Sequence, residues 1–152
     1  MEKLKIISLC LLCMILTGCG GKEKEVKTIN DYQVACENNG LTMIDKTEQY
    51  KNDSYITNSK ACILNDEEIE MVAYDSSDSA KKAQDNQIEQ FKSFRSTSNI
   101  IEKDKGKNYY KYTMITNGYY IISSRVDNTL IFTRIKLDDK EAVDKLLNEL
   151  DY

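Results

Sequence analysis

The 152-residue chain contains no histidine, no proline and no tryptophan. Without histidine, Ser–His and Cys–His nucleophile pairs cannot form, and no zinc site can use an imidazole ligand. The missing proline and tryptophan accompany many Lys, Asn, Ile and Tyr residues, the skew of low-GC codon usage. A basic excess is also lacking: 21 Lys and Arg stand against 25 Asp and Glu, for a net charge of −4. That balance argues against nucleic acid as a partner. Long apolar runs are missing too. Ile6 to Leu16 is interrupted by Ser8, and it falls well short of the roughly 20 residues a bilayer span needs. Cysteine is scarce in the body of the chain. Of 5 cysteines, Cys10, Cys13 and Cys19 cluster at the start, leaving only Cys36 and Cys62.

What is present at the start has an order to it. Lys3 and Lys5 precede the apolar run, and Leu16-Thr17-Gly18-Cys19 closes it. Charge, apolar stretch, small residues and cysteine in that sequence make a targeting segment. The tetrad resembles the lipobox of bacterial prolipoproteins. The resemblance implies a signal peptide over residues 1–18, cleavage before Cys19 and a diacylglyceryl group on its thiol. A thiolate is the strongest nucleophile among ordinary side chains and so a natural lipid acceptor. Two acyl chains of the palmitate kind, at about 0.8 kcal/mol per buried CH₂, hold where one is marginal. Loss of residues 1–18 removes two lysines and one glutamate, taking the net charge from −4 to −5. The implied location is the extracytoplasmic face of the cell membrane, held by a lipid anchor.

Residues 19–27 then read as the lipidated cysteine and a polar tether, with one domain over 28–152. Thr28 and Asp31 form a capping pattern for a helix whose Ile29, Tyr32 and Cys36 share a face, ended by Asn39-Gly40. Three strands are expected at 41–47, 55–64 and 68–74, with Asn65-Asp66 as a turn. Ile69, Met71 and Ala73 alternate with Glu68 and Glu70, placing the glutamates on the opposite side. A long helix over 75–94 is capped by Asp75 and carries Ala80, Ala83, Gln87, Ile88, Phe91 and Phe94 as its buried stripe. Strands at 108–116, 119–126 and 129–135 follow, joined by Asn117-Gly118 and Asp127-Asn128. The last helix has Asp138 as cap, Glu141 completing the box, and Ala142, Val143, Leu146, Leu147 and Leu150 as its stripe. The order α-βββ-α-βββ-α predicts an α+β domain: three helices packed on an antiparallel sheet or sheets, with an internal pseudo-repeat. The body is similar to small lipoproteins of low-GC Gram-positive bacteria, a resemblance that brings no catalytic residues with it.

Catalytic motifs are sparse. Ser79-Ala80-Lys81-Lys82 fits Ser-x-x-Lys, but the Ser-Asp-Asn and Lys-Thr-Gly elements that accompany it in penicillin-binding enzymes are missing. Residues 103–107 hold one glycine and no following helix, so they form no phosphate loop. The Asp66, Glu67, Glu68, Asp75 and Asp78 carboxylates lack the alternation and central glycine of a calcium loop. No cofactor and no metal are expected. Cys36 and Cys62 admit two readings. One is a disulfide worth about 3.5 kcal/mol on the loop-entropy account. The other is a pair of buried thiols.

Strand parity sorts the tyrosine-rich second half. Ile115, Tyr120, Ile122, Val126, Ile131 and Ile135 fall on one face, suited to cover by helices. Tyr110, Tyr112, Tyr119 and Phe132, with Arg125 and Arg134, fall on the other. Tyrosine and arginine favour interfaces, so this second face is the expected interaction surface, with packing inside the domain as its competitor. The chain therefore reads as a non-catalytic binding module for an envelope protein, peptide or small ligand. The alternative is a small cell-envelope enzyme acting on wall polymer through carboxylates, which requires two convergent acids in a pocket.

Overall fold

The computed structural model describes residues 21–96 and 99–152. The signal segment and Cys19 lie outside the described residues. Among these residues, three α-helices flank one seven-stranded sheet: α1 (Ile29–Asn38), α2 (Ser77–Lys92) and α3 (Lys140–Glu149). The strands are β1 (Thr42–Asp45), β2 (Ile56–Leu64), β3 (Glu67–Tyr74), β4 (Ile100–Lys105), β5 (Tyr109–Thr116), β6 (Tyr119–Val126) and β7 (Thr129–Lys136). The fold is α+β.

Local chemistry sets most of the boundaries. Thr28 and Asp31 form a reciprocal capping box at α1, which satisfies two otherwise orphaned amides. Beyond Asn38 the chain turns left-handed at Gly40 (φ 68°). The Gly40 and Leu41 amides then donate back to Glu37 and Cys36 at 3.0 Å, the double bond of a Schellman stop. Asn117 (φ 50°) and Gly118 (φ 77°) build the β5–β6 turn, and Asn65 (φ 48°) and Asp66 (φ 68°) build the β2–β3 turn. Positive φ at both central residues matches the right-handed twist of hairpin strands.

Four features correct the sequence expectations or go beyond them. Ser76, not Asp75, caps α2, accepting from the Ser79 amide. Asp138 lies within a short 3-10 turn (Leu137–Asp139), and α3 starts without a side-chain cap. Glu70 lies on the side opposite Ile69 and Met71, as its parity places it, and is buried there, because Tyr50 and Ser59 hydroxyls donate to it at 2.7 and 2.6 Å and Lys46 approaches at 3.7 Å. The fourth is β4, which the sequence pattern does not announce. Every one of its residues is exposed, so neither face imposes an apolar period.

All neighbouring strands are antiparallel, in the order β1-β2-β3-β7-β6-β5-β4. Half a turn about the long axis of β7 exchanges β1, β2 and β3 with β4, β5 and β6, direction for direction. Each trio follows a helix, α1 on one face and α2 on the other. The topology thus has the form of an internal repeat around a shared central strand.

The two faces carry separate cores. α1 and α3 cover Cys62, Ile69, Met71, Tyr120, Ile122, Val126, Ile131 and Ile135, which includes the face read from sequence as aliphatic. On the opposite face α2 lays Ala80 over Val72, Tyr74 and Leu130, and Phe91 over Tyr112, Met114 and Ile121.

Residues expected to form a loose tether are instead bound. The Lys107 amide donates to the Lys22 carbonyl at 2.9 Å. Asn108 clamps Lys24 from both sides, its Oδ1 accepting from the Lys24 amide at 3.0 Å and its Nδ2 donating to the Lys24 carbonyl at 2.8 Å. The Lys24 ammonium lies 4.8 Å above the Tyr109 ring and 3.5 Å from Asp151.

Leu147 is wholly enclosed between α3 and the sheet. Leu147→Ala should lower unfolding free energy by about 2–5 kcal/mol, read from urea midpoints. Burial raises the Tyr74 phenol from 10.0 to about 12, with Asp53 and Glu70 adding to the rise. The folded state then keeps a proton that the unfolded state loses. Stability from this group is present below pH 10 and falls as pH climbs toward 12. Tyr74→Phe should flatten that alkaline limb.

Candidate functional site

The expected tyrosine–arginine surface is not free, because α2 lies across it. Tyr112 is 1% exposed, and its ring sits 6.4 Å from that of Phe91 in a near-parallel stack. Tyr110, Tyr119 and Phe132 are half-buried against the same helix. Arg125 is turned inward, donating to the Gln84 side-chain carbonyl at 3.3 Å and the Asp127 carbonyl at 3.1 Å. Gln84, buried in α2, also donates to the Tyr110 and Ser123 carbonyls at 2.8 and 3.1 Å. Gln84, rather than the expected Gln87, is thus the glutamine that α2 buries fully. Of the expected face, Arg134 stays exposed, stacking 4.0 Å from the Tyr119 centroid and 4.9 Å from that of Phe94.

Cys36 and Cys62 are brought together in the core as free thiols. The neighbouring Cys62 thiol and burial push the Cys36 thiol's pKa up. The Tyr32 hydroxyl lies 3.0 Å from the Cys62 sulfur and donates to the Ile69 carbonyl. Burial raises this phenol as well, with the two thiols beside it adding to the effect.

A polar cleft of about 390 Å³ opens between β4, β5, β6 and α3. Its position follows from the sheet's width. α3 packs over the central strands and stops short of the β4 edge, so the groove keeps one open side. Glu102, Lys103 and Asp104 line it from β4, and Lys111 and Thr113 from β5. Tyr120 comes from β6, and Lys140, Asp144 and Asn148 come from α3. Asp144 accepts from the Tyr120 hydroxyl at 2.8 Å and pairs with Lys140, whose ammonium lies 4.9 Å from the Tyr120 ring centroid. Burial, then the bond to Asp144, drives the Tyr120 phenol upward. Lys111 is the innermost cation, donating to the Tyr152 carbonyl at 3.1 Å. Burial lowers its pKa, Asp144 and Asp104 oppose that, and Lys24 and Lys140 reinforce it. The cleft offers three ammonium groups and three carboxylates, a setting for a polar ligand of mixed charge. None of its residues was singled out as a site from sequence, since four elements contribute them.

Two of the three cleft carboxylates are engaged by neighbouring donors. Asp144 is engaged by a hydroxyl and an ammonium, and Asp104 accepts from the Tyr109 hydroxyl at 3.2 Å. Glu70, on the other face, is held by two hydroxyls and a lysine. Among the described residues no cluster of three or more His, Cys, Asp or Glu could hold a metal ion. No described helix is long and apolar enough to cross a membrane. Comparison with protein-family models, curated proteins and solved structures finds no match.

Tyr112→Ala should destabilise the domain by about 3–5 kcal/mol, as for other buried aromatics. Arg134→Ala, on the exposed rim, should change stability by under about 1 kcal/mol. Chemical denaturation of the two variants separates a packed face from a recognition face. The thiol pair has its own test: incubation with oxidised glutathione should remove two hydrogens from the intact mass and raise the melting temperature. Two thiols that remain alkylatable after unfolding would speak for a permanently reduced core.

Proposed function

We propose that the chain is a membrane-anchored extracytoplasmic lipoprotein whose folded domain is a non-catalytic binding module. The address rests on the lipobox Leu16-Thr17-Gly18-Cys19, with Cys19 as the lipidated residue. The observation that carries the binding reading is the open cleft with Lys111 at its floor. Its mixed charges suit a small polar ligand or a peptide from the envelope, and its size suits one short segment or headgroup-sized molecule. Asp144 and Asp104 accept from the Tyr120 and Tyr109 hydroxyls, which fixes both carboxylates in place to orient a ligand.

Two measurements test the two halves of this reading. Intact mass of membrane-extracted protein should show a diacylglyceryl-modified Cys19 at the new N-terminus, and Cys19→Ala should leave the chain unprocessed or released. For the cleft, Lys111→Met combined with Asp144→Asn should weaken capture of envelope components by roughly tenfold or more, the range of a lost charge-assisted hydrogen bond. Capture unchanged by that pair would remove the cleft from the function. Hydrolysis of wall polymer by the wild-type chain would replace the binding reading with an enzymatic one.

A further inference from the structure

The segment that follows the anchor is built into the sheet rather than left as a leash. Three backbone-directed hydrogen bonds hold Lys22 and Lys24 against residues 107 and 108. Lys107 also reaches Glu23 at 3.4 Å. The close approach is written into Gly106, where an added Cβ would lie 2.2 Å from the Lys22 carbonyl oxygen and 2.1 Å from the Tyr109 ring. Lys24 is nearly enclosed, its side chain 7% exposed.

Only three peptide units separate Cys19 from Lys22, a reach of at most about 11 Å. Acyl chains buried in a bilayer would hold Cys19 at the headgroup boundary. The β4–β5 connection, to which Lys22 is fastened, must then lie within that reach of the lipid surface. The charge at this end agrees. Residues 22–24 and 102–107 hold five lysines against three carboxylates, in a chain whose net charge is −4. Lys22, Lys103, Lys105 and Lys107 are all exposed.

We infer that residues 22–24 form a strap that sets the domain upright on its membrane, with the β4–β5 end against an anionic headgroup layer. This inference rests on the lipid-anchor reading. The far end of the sheet, marked by the β5–β6 turn and Lys136, points away from the bilayer. The strap also lies beside the cleft, since Asn108, which clamps Lys24, is only three residues from the lining Lys111. Asp104 and Lys111, paired across β4 and β5, place one end of the cleft at this same edge. Whatever enters the cleft therefore does so near the headgroups.

The test uses the full lipidated chain in vesicles of phosphatidylglycerol and phosphatidylcholine. A fluorophore is attached at Lys107→Cys in one sample and at Lys136→Cys in another, two positions separated by the length of β5, about 25 Å. Energy transfer to a headgroup-linked acceptor is measured for both. The strap requires severalfold more transfer from position 107 than from 136, and Asn108→Ala should bring the two signals together while the circular dichroism stays native. Equal transfer from both positions in the wild-type background, with Cys19 lipidated by mass, overturns the strap and leaves the anchor standing. A chain with no lipid on Cys19 overturns both.

Discussion

The pairing of β3 with β7 holds this molecule together. Five residues of each strand, from Ile69 opposite Thr133 to Ala73 opposite Thr129, form the ladder that joins β1–β3 to β4–β7. Neither trio could bury both of its faces alone. Once the seam is made, α1 and α3 can span it on one side and α2 on the other. Met71 and Ile131 meet across the seam in the first core, and Val72 and Leu130 meet in the second. Thr133 adds a side-chain bond across the same boundary, its hydroxyl donating to the Glu68 carbonyl. Because side chains alternate across a sheet, a slip of one residue here would exchange the two cores.

Much of this architecture was legible in the sequence because it depends on short-range chemistry. The Thr28–Asp31 box, Asn39-Gly40 and Asn117-Gly118 each specify a backbone state that few other residues adopt. Parity correctly assembled the aliphatic face from Ile115 to Ile135, since period-two alternation survives any choice of partner strand. It also grouped Tyr110, Tyr112 and Tyr119 correctly, yet could not say what covers them. That depends on which side of the sheet α2 crosses to, a choice made by the whole chain. Phe91 and Ala80 mark the buried stripe of α2, but nothing in their spacing says which face they meet. β4 escaped notice for the opposite reason: Ile100-Ile101-Glu102-Lys103-Asp104-Lys105 is a strand held by backbone bonds to β5, with no buried side to leave a pattern.

The cleft was illegible for a third reason. Lys111, Asp144 and Glu102 are ordinary surface residues in a sequence rich in Lys, Asp and Glu. Their convergence comes from the mismatch between a sheet seven strands wide and a face only partly covered by α1 and α3. The same mismatch explains why Lys111 is a different lysine from its neighbours. It lies beneath the end of α3, where Tyr152 offers it a carbonyl and the surrounding chain thins its access to water. Similarly, residues 20–27 read as a polar leash because the attachment of Lys22 and Lys24 is made through backbone groups and Asn108, which leave no compositional trace.

The exposed edge at β4 brings a hazard of self-association. An outermost strand presents unpaired amides and carbonyls, and Ile100 and Ile101 expose apolar surface beside them. The strand's remaining positions run Glu, Lys, Asp, Lys. A second chain adding itself here would have to strip water from four consecutive charges. Charged edge residues are the usual guard against this kind of runaway pairing. At the opposite margin β1 is only four residues long and offers too short a template to extend. The sheet is thus closed to growth at both margins by two unlike means, solvated charge on one side and brevity on the other.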